Sequence, residues 1–287
     1  MSTVVRHAVS SIAVCFFAFA IASAGRAELP EEIRVLTYNI HHGEGVDGKF
    51  DLPRIARVIK GASPHLVALQ EVDRGTQRAG GVDQPAELAR LTGMEVVFGR
   101  NIDYDGGGYG TAVLSRLPIR SHESVKLRSF YEDTAAHPEQ RGVQIVEVGR
   151  EEGPALLFLC THLDYRQPDT ERMASAATIN QLAAKHAGKL MILAGDLNAT
   201  PESRVMAEFA KNWKIAGADV DAAKPQAAGT KRQLLTYPAG QPVKWIDYVL
   251  VRPAERWQVV EVRVLDEPVA SDHRPLLAVL RAIEIND

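Results

Sequence analysis

Polar residues recur where buried strands should end. Asn39 lies at the close of an apolar run over residues 33–40, and Glu71 stands in another over residues 66–72. His162 and Asp164 follow the run at 155–161, and Asp196 and Asn198 follow the run at 190–194. Asp247 sits inside residues 245–251, and Asp272 and His273 precede the last run, at 276–280. An acid within a stretch such as Ala68-Leu69-Gln70-Glu71-Val72 is costly to bury unless it is paired or holds a metal. One such acid is commonplace. Several strand ends carrying carboxylates, amides and imidazoles ask for a shared cause, and a hard-cation site is the simplest.

Each residue also has a plain structural reading. Asn39 could be a strand-end turn residue, and Asp272 could cap a turn before Pro275. Asp196 and Asn198 could cap a helix opening at Thr200-Pro201. His162 could be a satisfied core histidine. Tyr109, in Gly108-Tyr109-Gly110, could be an ordinary loop aromatic, and Arg141 a solvated rim residue.

The segments Tyr38-Asn39-Ile40, Leu69-Gln70-Glu71-Val72, Thr161-His162-Leu163-Asp164, Gly195-Asp196-Leu197-Asn198, Ile246-Asp247-Tyr248 and Ser271-Asp272-His273-Arg274-Pro275 occur in that order. Together they resemble the endonuclease/exonuclease/phosphatase superfamily across residues 33–285. That superfamily holds DNase I-like nucleases, abasic-site endonucleases, neutral sphingomyelinases and inositol polyphosphate 5-phosphatases. Any one segment is a weak signal; six in order are a strong one.

The resemblance implies roles. Glu71 would be the principal ligand of Mg²⁺, or of Mn²⁺, with Asn39 and Asp272 beside it. Asp196 would orient or deprotonate the attacking water, and Asn198 would hold a phosphate oxygen. His273, paired with Asp247, would stand at the scissile phosphate. His162 would donate to a non-bridging oxygen. Tyr109 matches a family tyrosine near the phosphate, and Arg141 would bind phosphate. The implied reaction is in-line attack of water on phosphorus without a covalent intermediate. Where some nuclease relatives carry an acid two residues after the asparagine, this chain has His41. His41 is then available to meet substrate or to admit a softer metal such as Mn²⁺, and His42 is taken as a substrate contact.

The elements that must position these residues alternate between strands and helices. Strands are expected at 33–40, 66–72, 95–98, 111–115, 143–148, 155–161, 190–194, 245–251, 259–265 and 276–280. Asp51 with Pro53 opens a helix that Gly61 ends. A short helix covers 85–91, a long one opens at Asp169 or Thr170, and another starts at Thr200-Pro201. The connection between 143–148 and 155–161 is too short for a parallel crossover. About ten strands favour two packed sheets over one. The expected fold is therefore an α/β, four-layer sandwich of two mixed, mainly antiparallel β-sheets flanked by helices, as in DNase I-like proteins. The segments 74–84, 101–109 and 218–231 read as polar or glycine-rich loops, and nothing splits residues 28–287 into two domains.

The first 27 residues read as a leader. Arg6 and His7 precede an apolar run over residues 8–22, and small residues follow, so that Ala24 or Ala27 could precede a cut. The run is shorter than the roughly 20 residues a membrane span needs. A periplasmic or secreted protein is expected, with no transmembrane segment in the mature chain. Cys15 leaves with the leader, so Cys160 remains without a partner and reads as a buried structural thiol.

The 287-residue chain has 46% apolar and 24% charged residues and a net charge of −3. Loss of Arg6 and Arg26 with the leader takes that charge to −5. This excludes a strongly basic protein that coats nucleic acid by charge alone. The few candidate phosphate contacts are Arg74 and Arg78, Lys231 and Arg232, and Arg141. The motif surroundings lack the markers of the 5-phosphatase branch, the disulfides of secreted DNase I-like enzymes and the apolar hairpin of some sphingomyelinases. The expectation is an exported, Mg²⁺-dependent, monomeric phosphodiesterase. Its expected substrate is a compact phosphodiester such as a phospholipid headgroup or short oligonucleotide, with transient contact to lipid headgroups or nucleic acid. A non-specific secreted endonuclease is the alternative, and a phosphate-ligand binding protein without catalysis is the alternative from another class.

Overall fold

The computed structural model describes residues 29–128, 139–218 and 234–283. The expected leader and almost all of the 218–231 segment lie outside the described residues. Among the described residues no helix is long and apolar enough to cross a membrane.

The chain runs β1 (Ile33–Asn39), α1 (Leu52–Ala62), β2 (Leu66–Arg74), α2 (Gln84–Thr92), β3 (Glu95–Tyr104), β4 (Gly107–Ser115), β5 (Ile119–Lys126) and β6 (Gly142–Val148). It continues through β7 (Leu156–His162), α3 (Thr170–Ala184), β8 (Leu190–Asp196), α4 (Arg204–Ala210), β9 (Lys214–Ile215), β10 (Asp247–Arg252), β11 (Trp257–Val264) and β12 (Leu276–Ala282). The strands form two six-stranded sheets, ordered β11-β12-β1-β2-β4-β3 and β5-β6-β7-β8-β10-β9. In each sheet a single pair, β1–β2 or β7–β8, is parallel and the other neighbours are antiparallel. Both parallel pairs are joined through a helix, α1 or α3, because a parallel return needs a crossover. This is the mixed, mainly antiparallel four-layer sandwich of the DNase I-like fold.

Alternation along the strands builds the layers. Ile33 and Val35 of β1 meet Phe158 and Cys160 of β7 and Ile192 and Ala194 of β8 in the core between the sheets. Leu36 and Tyr38 face outward onto Ile55 and Ile59 of α1. Leu157 and Leu159 face the other way, onto Ala176 and Ile179 of α3 and Phe209 of α4. Full burial of one such large side chain contributes about 1.5–3 kcal/mol. The parity that places Val35, Ala194 and Val249 between the sheets also places Asn39, Asp196 and Asp247 there, at one edge of the sandwich. Gly195, just before Asp196, has no room for a side chain: a Cβ would stand 2.1 Å from the Thr161 carbonyl oxygen.

Several element boundaries differ from the sequence expectation. Gly61 lies inside α1, which ends at Ser63 in the left-handed conformation before Pro64, so that Ala62 is buried as well. Thr200-Pro201 forms a turn closed by Ser203 N donating to Thr200 O at 3.0 Å. The fourth helix instead begins after Ser203, whose hydroxyl accepts from Met206 N at 3.3 Å. The segment 101–109 is the tip of the β3–β4 hairpin, turned by Asp105-Gly106 with both residues at positive φ. The exposed strand β5 carries no apolar alternation and was absent from the expected set.

Candidate active site

The site lies where β1, β2, β7, β8, β10 and the loop before β12 meet. Glu71 reaches it through a bulge. Leu69 pairs with Ala112 and Val72 with Gly110, so Gln70 and Glu71 together oppose Thr111. Glu71 takes φ +56°. Leu69 and Val72 therefore both face the helices, while the carboxylate of Glu71 is re-aimed into the cleft. Asn39 stands behind it, fully buried. Its Nδ2 donates to Glu71 Oε1 at 2.9 Å and to Asp196 Oδ2 at 3.2 Å, while its Oδ1 accepts from His41 N at 3.1 Å. The amide so oriented aligns two carboxylates. It presents its nitrogen to both of them.

Asp196 is the centre of the arrangement. Its Oδ1 accepts from Asn198 N at 2.9 Å, and its Oδ2 lies 3.5 Å from His162 Nε2 and 3.7 Å from His273 Nε2. The other ring nitrogen of His273, Nδ1, is 2.9 Å from Asp247 Oδ2. His273 thus sits between two buried carboxylates. At about 4 Å, two like charges repel by roughly 4 kcal/mol at an effective dielectric near 20, so the intervening imidazolium matters. Burial, followed by the neighbouring Asp247 charge, raises Asp196 well above the usual carboxylate range. Burial alone would lower the His273 imidazole, but Asp247 and Asp196 outweigh it and raise it far above the ordinary histidine value. His162 goes the other way: burial, then Arg141 and His273, keep it neutral.

The neutral His162 and Asn198 form a frame. Asn198 is at φ +47°, a conformation asparagine tolerates. Its Nδ2 donates to Leu163 O at 3.1 Å and stands 3.2 Å from His162 Nε2. Both amide hydrogens are thus engaged within the protein, and Nε2 of His162 receives one of them. Both residues also line the cleft, and the backbone N–H of Asn198 donates to Asp196 Oδ1. Neither Asp196 nor Asn198 caps α4, since Ser203 does. Asp272 caps no backbone N–H among the described residues; its Oδ1 lies 3.4 Å from the Ser271 hydroxyl, which donates to Asn39 O at 2.7 Å.

In front of these groups opens a cleft of about 610 Å³. It is lined by Glu71, Asp196, Asn198, Asp272, His162 and His273, and also by Tyr109 and Arg141. Arg141 is buried beside Glu139, and its Nε has no hydrogen-bond partner. A guanidinium in that condition is suited to a phosphate oxygen. Asn39 and Asp247 lie behind the lining, fully buried. His42 does not line this cleft; it joins His41 beside Glu71. Sequence reasoning missed Glu139, Tyr165, Tyr237 and Lys244, which come from loops and line the mouth. Tyr237 also packs on the His273 ring at 4.8 Å. A bridge between Tyr237 and Lys244 holds that loop, a pairing no local pattern announces. Cys160 is buried, with its thiol pushed up to about 12 by burial, as a structural residue should be.

A divalent cation fits the donor set. Glu71 and Asp272 present carboxylate oxygens to an open cleft, with Asp196 and Asp247 behind and one imidazolium among them. Four carboxylates against one imidazolium and the Arg141 guanidinium leave an excess of negative charge that a cation would offset before a phosphate. Carboxylates with space for water are what a hard, six-coordinate ion takes.

Among known proteins, the chain is 28% identical over 256 residues to the uncharacterized protein YbhP of Escherichia coli K12, covering 85% of this chain and 94% of YbhP. It is 27% identical over 227 residues to the 5'-tyrosyl-DNA phosphodiesterase of Caenorhabditis elegans, covering 73% of this chain and 57% of that protein. The fold is similar to that of the mannosyl-6-phosphatase of Bacteroides thetaiotaomicron, with a TM-score of 0.66 at 17% identity, covering 86% of this chain and 99% of that one. The model of the Endonuclease/Exonuclease/phosphatase family, whose members are phosphoester hydrolases, matches residues 36–273, across both sheets and every segment of the site, and the chain belongs to that family.

Proposed function

We propose that this chain is an exported phosphodiesterase that uses a divalent cation, Mg²⁺ or Mn²⁺, to hydrolyse a compact phosphodiester. The observation that carries this reading is the buried Asp196–His273–Asp247 cluster, which Asn39 joins to Glu71 at the base of an open cleft. Glu71 and Asp272 would hold the cation, which when bound would neutralise phosphate charge and polarise the phosphorus centre. Asp196 takes the proton of the attacking water, helped by a proton affinity that burial raises. His273, charged and oriented through Nδ1 by Asp247, steadies the negative charge that builds on the phosphoryl oxygens. Arg141, in the lining of the cleft, binds a non-bridging oxygen. The backbone N–H of Asn198 holds Asp196 in place, His162 packs beside it, and Tyr109 walls the site beside Arg141.

The choice of a compact substrate rests on the cations. Arg78 is held by the buried Asp73 at 2.7 Å, and Arg74 makes only an exposed pair with Asp83 at 2.9 Å, so few cations are at hand to grip a long polyanion. Lys231 and Arg232 lie outside the described residues. Tight binding to long nucleic acid needs many phosphate contacts and the release of many counterions. A cleft of this volume suits a small ligand. The test compares release of headgroup from sphingomyelin vesicles and cleavage of a short oligonucleotide with nicking of supercoiled plasmid, all at physiological salt with Mg²⁺. Turnover of a compact substrate with weak nicking is expected. Efficient nicking that falls steeply with salt, without headgroup release, would instead make it a secreted nuclease. Export rests on the leader over residues 1–27, and the N-terminal sequence of the mature protein tests it.

The pH profile has a defined direction. A base must be deprotonated, so kcat/KM should rise through the raised Asp196 value, above the range of an ordinary carboxylate. An imidazolium must stay charged, so the descending limb should lie well above neutral. In Asp247→Asn, Asp196 loses a like-charged neighbour and His273 loses its charged partner. Both limbs should then move to lower pH. Limbs that stay fixed, or move upward, would remove Asp247 from this electrostatic role.

A further inference from the structure

The turn after β1 is unlike the rest of the site. His41 and His42 form a short 3₁₀ turn with Gly43, held by Gly43 N donating to Ile40 O at 2.8 Å and by Gln84 Nε2 donating to His42 O at 2.6 Å. One ring nitrogen of each histidine and one carboxylate oxygen of Glu71 lie within 4.8 Å of one another. All three residues have left-handed backbones, with φ of +45°, +45° and +56°. Two consecutive non-glycine residues in that region are unfavourable, and such conformations persist where the surrounding structure enforces them, often at functional sites.

The ring hydrogens are placed as they are around a metal. His41 Nδ1 lies 3.1 Å from Glu44 O. A carbonyl only accepts, so Nδ1 carries the hydrogen and Nε2 keeps its lone pair. His42 Nε2 lies 3.4 Å from the Glu44 carboxylate, and its buried Nδ1 has no hydrogen-bond partner. A carbonyl or carboxylate taking one ring N–H is the arrangement that fixes the tautomer of metal-bound histidines and leaves the other nitrogen for the ion. Glu44 supplies both acceptors. The Phe50 ring lies 5.6 Å from the His42 ring.

We infer that His41, His42 and Glu71 form a nitrogen-containing cation site that takes a transition-metal ion such as Zn²⁺ in preference to Mg²⁺. Imidazole nitrogen suits such ions, whereas Mg²⁺ prefers oxygen throughout. The inference deepens the reading above, because Glu71 serves both. Binding, however, can be read whether or not the protein hydrolyses anything.

The experiment titrates Co²⁺ into the chelator-stripped full chain and follows its visible absorption, then displaces it with Zn²⁺ or Mg²⁺. The same titration is made with His41→Asn and His42→Asn, since asparagine tolerates the left-handed backbone these positions need. The wild type should give a saturable cobalt band that Zn²⁺ removes near stoichiometry and that Mg²⁺ removes only in about hundredfold excess or more. Each variant should lose at least about tenfold in affinity, with a changed spectrum. An unchanged band and affinity in both variants would overturn the inference, as would displacement by Mg²⁺ at parity with Zn²⁺. If a variant fails to fold, X-ray absorption on the zinc-loaded wild type decides: imidazole scattering around the ion supports the site, and an all-oxygen shell overturns it. An intact nitrogen-ligated site in a protein that hydrolyses no phosphodiester would sink the proposed function and leave this site standing.

Discussion

Asp196→Asn is expected to lower kcat by about 10²–10⁴-fold, the usual contribution of a positioned general base. KM should change little, because the group acts on the water and not on the bound ester. His273→Ala should fall in the same range, since it removes the imidazolium between two carboxylates as well as the group that faces the phosphate. The asparagine at 196 keeps the shape of the side chain and one acceptor for Asn198 N. It also relieves the repulsion from Asp247, so loss of activity with an unchanged thermal melt is the expected combination. Steady-state kinetics on bis-p-nitrophenyl phosphate at saturating Mg²⁺ checks both variants. Near-wild-type turnover in either one would remove that residue from the mechanism.

The second large effect concerns Glu71. Its carboxylate is delivered by a bulge, takes a left-handed backbone and is aligned by Asn39. Structure devoted to one acid implies that its charge is used. Glu71→Gln should weaken cation affinity by more than the roughly 10–100-fold that follows loss of an outer partner of a metal ligand. Activity should then require a correspondingly higher cation concentration. Calorimetric titration of the cation reads this without a substrate. An unchanged affinity in Glu71→Gln would mean that the cation is held elsewhere.

Much of the site was legible because its chemistry sits in short polar words at the ends of apolar runs. Asn39, Asp196 and Asp247 needed only the strand parity of Val35, Ala194 and Val249 to be placed on one side, whereas His273 comes from the loop before β12. Glu71 was legible by type but not by geometry. The sequence showed an acid in an apolar strand, while the bulge depends on Gln70 and Glu71 facing the single residue Thr111 in a strand 40 positions on. The substrate-side residues were less visible. Tyr165, Tyr237 and Lys244 come from loops whose positions are set by long-range contacts. The turn at Asp105-Gly106 carried a hairpin signal that its polar surroundings masked, and β5 is an exposed edge with no apolar pattern to read. The hydrogen-bond partners of His162 and Asn198 were not legible for a related reason: residue type alone does not say which neighbour an amide or imidazole meets.

Under the proposed function, a cation and the Asp196 cluster act together to hydrolyse a phosphodiester. The most direct measurement is release of p-nitrophenol from bis-p-nitrophenyl phosphate by chelator-stripped protein, before and after addition of Mg²⁺ or Mn²⁺. No release is expected without the cation, release on its addition, and almost none in Asp196→Asn under the same conditions. Full activity in excess chelator, or no hydrolysis of this or any compact phosphodiester with either cation, would contradict it.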